Sequence, residues 1–382
     1  MQSNEFHVIV VGGGPAGSTC AALLSKAGLE VLLIDKAKFP RQKICGDCIN
    51  PAAWHIFDLL GISDEIKART PNFIEWIRVH NKNGEIVQVH LKKNITPFFA
   101  MCRSELDDIL LNHAKKLGVI VLDETRVVDL IYDRKWNIFI SGIKNKNNKK
   151  VNAKILVGAD GRNSFVARKL SKQSQKNKSF NNGKSLDRVG IQWLLNSRGF
   201  ENNCVDLFFY DLGYFGIVGL GQNLINLAMV TTPGIARLVS KNPLKFLSKT
   251  IKSNNPFNQI FGEVSKFENS LTAFPINPRQ RQTEFQFSCL IGDARKTVEP
   301  FTGQGIYFAL QDGVIAAKRI LEHFGNKTDT LEFSKINRFW VNHVFSPILR
   351  NSGVTNKLIS FGSGNLILTK LAAKSVFNKM IL

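Results

Sequence analysis

The chain has 382 residues and lacks several features that would decide its class at once. Cysteine is sparse: Cys20, Cys45, Cys48, Cys102, Cys204 and Cys289, isolated except for one CGDC stretch. So few in a chain this long make no disulfide framework and predict reduced thiols, as in a cytoplasmic protein. A zinc site wants close pairs of ligands, and none of the seven histidines has a second one four residues on, so no metal is expected. No apolar run approaches the roughly 18 residues of a membrane span. The N-terminal MQSNEFHVIVV lacks a basic n-region and reads as a strand, not a signal peptide. Acidic residues are few, with 30 Asp and Glu against 51 Lys and Arg, for a net charge of +21. Much of that excess sits in IKNKNNKK (Ile143–Lys150) and SKQSQKNKSFNNGK (Ser171–Lys184), as solvated loops would place it. The sharper reading is an acidic carrier protein, an anionic membrane surface or a phosphorylated substrate. No helix-turn-helix, zinc-finger or RNA-binding signature accompanies the charge, so nucleic acid is not an expected partner.

What is present starts with FHVIVVGGGPAGSTCAALLSKAGLEVLLIDK. Phe6–Val11 is a continuous apolar run of the buried parallel type. Gly12, Gly14 and Gly17 satisfy G-x-G-x-x-G around Pro15 and Ala16, and a helix is expected from Pro15 to about Ala27. A second strand, Val31–Ile34, ends in Asp35 and Lys36. Gly12 permits the tight turn, Gly14 lets the backbone approach a pyrophosphate, and Gly17 lets the helix sit close to the strand. The helix N-terminus supplies N–H donors, and Asp35 is placed to accept from a ribose hydroxyl. Strand, turn, helix, strand and terminal acid occur in order, which points to a dinucleotide site.

Further along, CRSELDDILLNHAKKLGVIVL reads as helix then strand, and RVVDLIYD and WNIFISGI as two strands around a polar turn. AKILVGADGRNSFVARKL is a buried strand running into a Gly-containing turn and a helix, and Ser171–Asp187 is a polar loop or linker. From about Arg188 to Phe285, short strands alternate with turns and predict a mostly antiparallel sheet. FSCLIGDARKTVEPFTGQGIYFALQDG then returns to strand, turn and helix.

Three separated motifs, GGGPAG, GADG (Gly158–Gly161) and GDA (Gly292–Ala294), resemble the FAD-binding fold of aromatic hydroxylases and geranylgeranyl reductases. FPRQKICGD (Phe39–Asp47) is similar to the F-P-R-x-K-x-C-G segment of the geranylgeranyl-reductase-like flavoproteins, which passes over the flavin. The resemblance implies FAD as cofactor and an α/β composite fold. A discontinuous Rossmann-like FAD-binding domain would span 1–70, 101–187 and 285–325. A substrate domain with a mostly antiparallel sheet would span 71–100 and 188–284, followed by a C-terminal helical region over 326–382. Carried onto this sequence, it places Asp293 on a ribityl hydroxyl and Pro300, Gly303, Gln304 and Gly305 at a phosphate or the flavin edge. Asp160 and Gly161 would border the nicotinamide entry path, and Arg103 would contact the FAD phosphates. At the position of the reductases' Y-x-W-x-F-P motif the chain reads GYFGIVGLG (Gly213–Gly221), without the Trp or the Pro. The W-x-W-x-I-P motif of the flavin halogenases is not found.

CGDC therefore has three readings. As a redox dithiol it would need a second nucleotide-binding unit, and GIVGLGQN lacks the strand-to-helix context for one. As structure, Cys45 is a small buried hydrophobe. As chemistry, Gly46 brings the backbone close to the isoalloxazine, Arg41 and Lys43 bind phosphate or carboxylate or offset the charge of reduced flavin, and the Cys45 thiol donates a proton. Cys45 and Arg41 are the candidate catalytic residues, and Cys48 is expected to be packing. Arg162 either meets an NAD(P)H phosphate or caps its turn, while Tyr214 and Phe215 either line a pocket or fill core. The preferred function is an FAD-dependent oxidoreductase driven by NAD(P)H that acts on a small apolar, isoprenoid-type or carrier-bound substrate. Alternatives are a flavin monooxygenase that hydroxylates or epoxidises, a halogenase, and a non-catalytic flavoprotein. GNLILTKLAAKSVFNKMIL (Gly364–Leu382) is an amphipathic basic helix, suited to packing on the domain, to an anionic bilayer or to an acidic carrier protein.

Overall fold

The computed structural model describes residues 4–326, apart from residue 70 and segments 81–85, 92–96, 145–147, 174–187, 197–199, 211–212, 254–266, 274–275, 277–278, 282–286, 299 and 301–302. The basic stretch Gly364–Leu382 and most of Ser171–Asp187 lie outside the described residues.

In chain order, β1 (Glu5–Val11), α1 (Pro15–Lys26) and β2 (Val31–Ile34) open the fold. A short β3 (Cys48–Ile49) leads to α2 (Ala53–Leu60), α3 (Ser63–Ala68), β4 (Asn72–Ile74), β5 (Trp76–His80), β6 (Ile86–His90) and β7 (Phe98–Ala100). Next come α4 (Arg103–Lys116), β8 (Ile120–Leu122), β9 (Thr125–Asp133), β10 (Lys135–Gly142), β11 (Asn148–Gly158) and α5 (Phe165–Gln173). The middle of the chain holds β12 (Val189–Asn196), β13 (Cys204–Tyr210), β14 (Gly213–Gly221), β15 (Leu224–Thr231), α6 (Pro233–Lys241), α7 (Pro243–Ser253) and β16 (Phe267–Ala273). The last elements are β17 (Arg279–Gln280), β18 (Ser288–Leu290), a 3₁₀ turn at Gly292–Ala294, β19 (Lys296–Thr297) and α8 (Gly305–Asn326).

The first sheet runs β8-β2-β1-β11-β10-β9, with β18 also paired to β11. β1 is parallel to both β2 and β11, so α1 is the crossover that covers one face. Alternation along β1 feeds two cores: Val8 and Val10 pack with Cys20 and Leu24 of α1, and Ile9 and Val11 with Trp136 and Leu156. Each such fully buried side chain contributes roughly 1.5–3 kcal/mol. The expected polar loop Ile143–Lys150 is corrected at its end. Asn148–Lys150 is already strand, because Ser141–Phe139 of β10 offer an antiparallel partner while the side chains stay exposed.

The second sheet, β16-β12-β15-β14-β13-β5-β6, is antiparallel except where β13 runs parallel to β5. β5 and β6 thus share a sheet with the middle of the chain. One face of this sheet carries Val205, Leu207, Tyr214 and Val230; the other carries Trp193, Ile217, Leu227 and Met229, with Ala236, Val239 and Leu247 of α6 and α7. The small sheet β3-β7-β4 and the 39–47 loop bridge the two large ones.

Candidate functional site

Between the end of β1 and the start of α1 only three glycines intervene. Gly12 has φ +111°, and a Cβ there would come within 2.3 Å of the Ala159 carbonyl oxygen. A Cβ on Gly17 would come within 1.9 Å of the Gly12 carbonyl oxygen. Only glycine lets β1, β11 and α1 approach this closely. Gly14 is the extended N-cap of α1, and no side chain caps this helix end or places an acid in its first turn. The backbone N–H groups of Ala16 and Gly17, after Pro15, therefore present an open positive end that suits a phosphate. Asp35 is buried at the end of β2; its Oδ2 accepts from Gly13 N at 2.7 Å and its Oδ1 from Ala37 N at 2.8 Å. Each oxygen retains a lone pair for a ribose hydroxyl. Lys36 beside it is exposed.

Arg41 stands at this phosphate end. Its Nη2 lies 3.4 Å from where a Cβ on Gly14 would be and 3.4 Å from Asp107 Oδ2, and its guanidinium lies over the Phe39 ring. Arg41, a candidate for both catalysis and cofactor binding, is thus held beside Gly14 by the fully buried Asp107 carboxylate. Asp107 is chiefly the partner of Arg103, through two hydrogen bonds of 2.9 Å. Arg103 is buried, lines the cavity with Cys45, and its positive charge opposes part of the rise in the Cys45 thiol pKa.

The cavity runs from Gly14, Pro15 and Ala16 past Ala159 and Gly161 to Gly292 and Asp293. Pro300, Gly303 and Gly305 complete this small-residue wall, and Gln304 is buried behind it with its Oε1 unpartnered among the described residues. Asp293 sits on the 3₁₀ turn, whose first residue, Gly292, donates its N–H to Asp312 Oδ2 at 2.9 Å. Asp160 is corrected. Its Oδ1 accepts from Ser164 Oγ at 2.5 Å and its Oδ2 from Phe165 N at 2.6 Å, so the carboxylate caps α5 and does not face a ligand. Burial pushes that carboxyl above its ordinary value. Arg162 lines the cavity, and its carbonyl accepts from Arg281. An uncapped helix end, a channel of glycines and alanines, and a buried unpartnered amide oxygen together fit an FAD molecule.

Lys43, Ile44, Cys45, Gly46 and Cys48 form a further wall. Gly46 is exposed, and a Cβ there would meet nothing within 4 Å; a Cβ on Gly161 would lie 3.6 Å from the Lys43 ammonium. Burial pulls the Lys43 pKa down, partly opposed by Asp293. The main chain of Cys45 is tied to the second sheet on both sides. Its N–H donates to Gln192 Oε1 at 3.0 Å, and its carbonyl accepts from Asn226 Nδ2 at 2.8 Å. Enclosure, then the Asp47 carboxylate, raise the Cys45 thiol, and burial raises Cys48 still further. Both are neutral thiols at neutral pH, the reverse of the lowered pKa that a redox dithiol needs.

Asp47 is the residue that the sequence reading passed over. It holds φ +54°, an uncommon left-handed conformation, and its Oδ2 accepts from Asn226 Nδ2 at 2.6 Å and Gln192 Nε2 at 3.1 Å. Its carbonyl accepts from Met101 N, and burial lifts its carboxyl to about 7. A signal was present, since Gln192 and Asn226 are isolated amides inside otherwise apolar strands, VGIQWLLN and LINLAMV. Beyond these amides the cavity wall is apolar, made by Ile77, Phe98, Val205, Leu207, Val218 and Ile276 with Tyr214 beside them. Phe215 faces the opposite core. Among the described residues no three His, Cys, Asp or Glu side chains are arranged to hold a metal ion, and no helix is long and apolar enough to cross a membrane.

Comparison with known proteins agrees with this geometry. A family model described as "FAD binding domain" matches residues 5–199. The chain is 28% identical to a menaquinone reductase of Mycolicibacterium smegmatis over 83% of its length and 76% of the relative's. It is 26% identical to a digeranylgeranylglycerophospholipid reductase of Methanosarcina acetivorans, covering 86% and 78%. It is 24% identical to a 1H-pyrrole-2-carbonyl-[peptidyl-carrier protein] chlorinase of Pseudomonas fluorescens, covering 88% and 79%. In fold it resembles a flavin-dependent brominase, with a TM-score of 0.78 at 21% identity over 97% of this chain and 93% of that one. The match over half the chain and the glycine-lined cradle it covers lead to one conclusion: the chain belongs to the FAD binding domain family and is a flavoprotein of the oxidoreductase type.

Proposed function

We propose that the protein is an FAD-dependent reductase, driven by NAD(P)H, that adds hydrogen to a small apolar substrate of isoprenoid type. The observation that carries this reading is the single cavity. One wall is the cradle at Gly14, Ala159 and Asp293, and the facing wall is the apolar side of the second sheet, with a neutral thiol where they meet. Two of the relatives are named as reductases of isoprenoid compounds, which supports it. The cation excess suits presentation of the substrate by an anionic surface or an acidic carrier.

Bound FAD would supply hydride chemistry at its isoalloxazine. The chain's residues do the rest. Ala16 N–H, Gly17 N–H and Arg41 hold the pyrophosphate, and Asp35 accepts from a ribose hydroxyl. The apolar wall orients the substrate and excludes water. Gln192 and Asn226 fix the Cys45 main chain, and the Cys45 Sγ–H gives the proton that balances the hydride. Arg103 at that sulfur stabilises the thiolate left behind.

The test is turnover of prenylated substrates by purified FAD-loaded protein with NADPH under strict anaerobiosis. Saturated product formed at the aerobic rate supports the reductase. Turnover that stops without oxygen overturns it in favour of a monooxygenase, and turnover that also needs halide favours a halogenase.

A further inference from the structure

The floor of the cavity has a gap in its side chains that the fold does not account for. β14 contains four glycines, at 213, 216, 219 and 221. Three have structural reasons. A Cβ on Gly213 would come 1.9 Å from the Val230 carbonyl oxygen, one on Gly219 would come 2.4 Å from Asn202 Oδ1, and Gly221 has φ +88°. Gly216 has neither reason. Its φ is not positive, and a Cβ there would meet nothing nearer than Leu207 Cδ2 at 3.5 Å, an ordinary contact. Glycine in mid-strand is itself destabilising, by roughly 0.5–1 kcal/mol relative to alanine. Its presence here therefore calls for another cause.

The register supplies one. Across the sheet, Gln192, Ala228, Gly216 and Leu207 form one row. Ala228 and Gly216 are adjacent, and both are partly exposed although they lie at the centre of a seven-stranded sheet. Val230 and Tyr214 bound them on one side, Asn226 and Val218 on the other. Ile217 and Met229 also line the cavity, yet their side chains are buried in the opposite core. The cavity therefore rests on their main chain. Here the peptide groups are paired in the ladder, so what they present upward is flat and offers no free donor or acceptor.

The walls of this pit stand about 14 Å apart across the strands and about 13 Å along them, from strand spacing and rise. Leu207 leans in over one edge, and what is left bare is the main chain of two adjacent strands at Gly216 and Ala228. A flat patch two strands wide suits a planar fused ring better than a single extended chain. We propose that Gly216 and Ala228 determine specificity by forming a ring-sized subsite, in which a flat fused-ring head of the apolar substrate lies on the bare main chain opposite the FAD cradle. This rests on the apolar-substrate reading above and narrows it to substrates that carry such a ring.

The experiment measures binding to full-length FAD-loaded protein, followed by flavin absorbance and calorimetry. The probes are menadione, a fused planar ring, and geranylgeraniol, an acyclic chain of the same apolar class. Wild type is compared with Gly216→Ala, Gly216→Val and Ala228→Val at equal FAD content. Menadione affinity is expected to fall by a few-fold with alanine and by about 10-fold or more with either valine, as overpacking of a fitted site predicts. Geranylgeraniol affinity is expected to change less than about 3-fold, below 0.7 kcal/mol. Unchanged menadione affinity in the valine variants overturns the proposal, as does an equal loss for both probes or no menadione binding by wild type. If Gly216→Val does not retain FAD, Ala228→Val and Gly216→Ala decide the matter. Because the readout is binding, a protein that binds menadione in this graded way but reduces nothing anaerobically defeats the reductase reading alone.

Discussion

The two walls of the cavity are built on opposite principles. On the FAD side, glycines are required by the chain itself: a Cβ on Gly17 would overlap the Gly12 carbonyl, and one on Gly12 would overlap Ala159. On the sheet side, Gly216 collides with nothing, and its effect is on the space above it. The first wall holds a ligand by letting backbone approach backbone, and the second by leaving side chains out. Change at the first wall should damage folding and cofactor binding together, whereas change at the second should alter ligand choice in a protein that still folds.

The strongest way to break this contrast is Gly17→Ala. The added methyl has backbone on its far side and no flexible side chain to displace, so a loss of at least about 4 kcal/mol and of FAD is expected. Flavin absorbance of the purified protein, with urea denaturation, measures both. A variant that keeps FAD and full stability would remove the distinction between the walls. Next in size is Arg103→Met, which leaves the Asp107 carboxylate buried with Arg41 as its remaining cation at 3.4 Å. Breaking a buried pair costs about 3–5 kcal/mol, and adding Asp107→Leu should restore part of it. Urea midpoints of the single and double variants give the coupling, and strictly additive losses would argue against the pair.

The contrast also explains what could be read in advance. G-x-G-x-x-G and Asp35 were legible because their constraints act within one βαβ unit, where spacing alone fixes the geometry. The resemblance sets Arg41 and Asp160 beside ligands, but the partners that hold them, Asp107 on α4 and the first turn of α5, follow only from tertiary placement. The role of Asp47 is not legible locally, since its partners Gln192 and Asn226 lie 145 and 179 residues away. The Trp missing at Gly216 was visible as a departure, but its meaning needed the register that sets Ala228 beside it.

Asp47 offers a third test, at the seam between the walls. Its carboxyl is lifted from an unfolded value near 3.9 to about 7. Between those values the folded protein binds a proton that the unfolded chain has lost. Stability contributed by Asp47 is therefore full below about pH 4 and falls as pH rises through about 7, at roughly 1.4 kcal/mol per unit. The accumulated change is about 4 kcal/mol. Asparagine tolerates the left-handed backbone and does not ionise, so Asp47→Asn should flatten this dependence. Urea denaturation from pH 4.5 to 8 checks it, and parallel curves for the two proteins would show that Asp47 stays ionised throughout.

The smallest effect expected separates the two cysteines of CGDC. Both are neutral thiols lining the cavity, yet among the described residues it is the Cys45 main chain that is bonded to both Gln192 and Asn226, with the Arg103 charge acting on its thiol. If Cys45 delivers the proton, Cys45→Ser keeps the shape and raises the pKa of the donor. A fall in kcat of about 10²-fold, near 2.7 kcal/mol, is expected with KM and FAD content nearly unchanged. Cys48→Ser should stay within about 2-fold, since packing in the short β3–β7 pair tolerates a near-isosteric hydroxyl. The raised Cys45 pKa also places the alkaline limb of kcat above the roughly 8.5 of an ordinary thiol, and the serine variant should lose that limb. Equal losses in the two variants, or an unchanged alkaline limb in Cys45→Ser, would move the proton donor away from this loop and leave its two amide tethers as purely structural links between the walls.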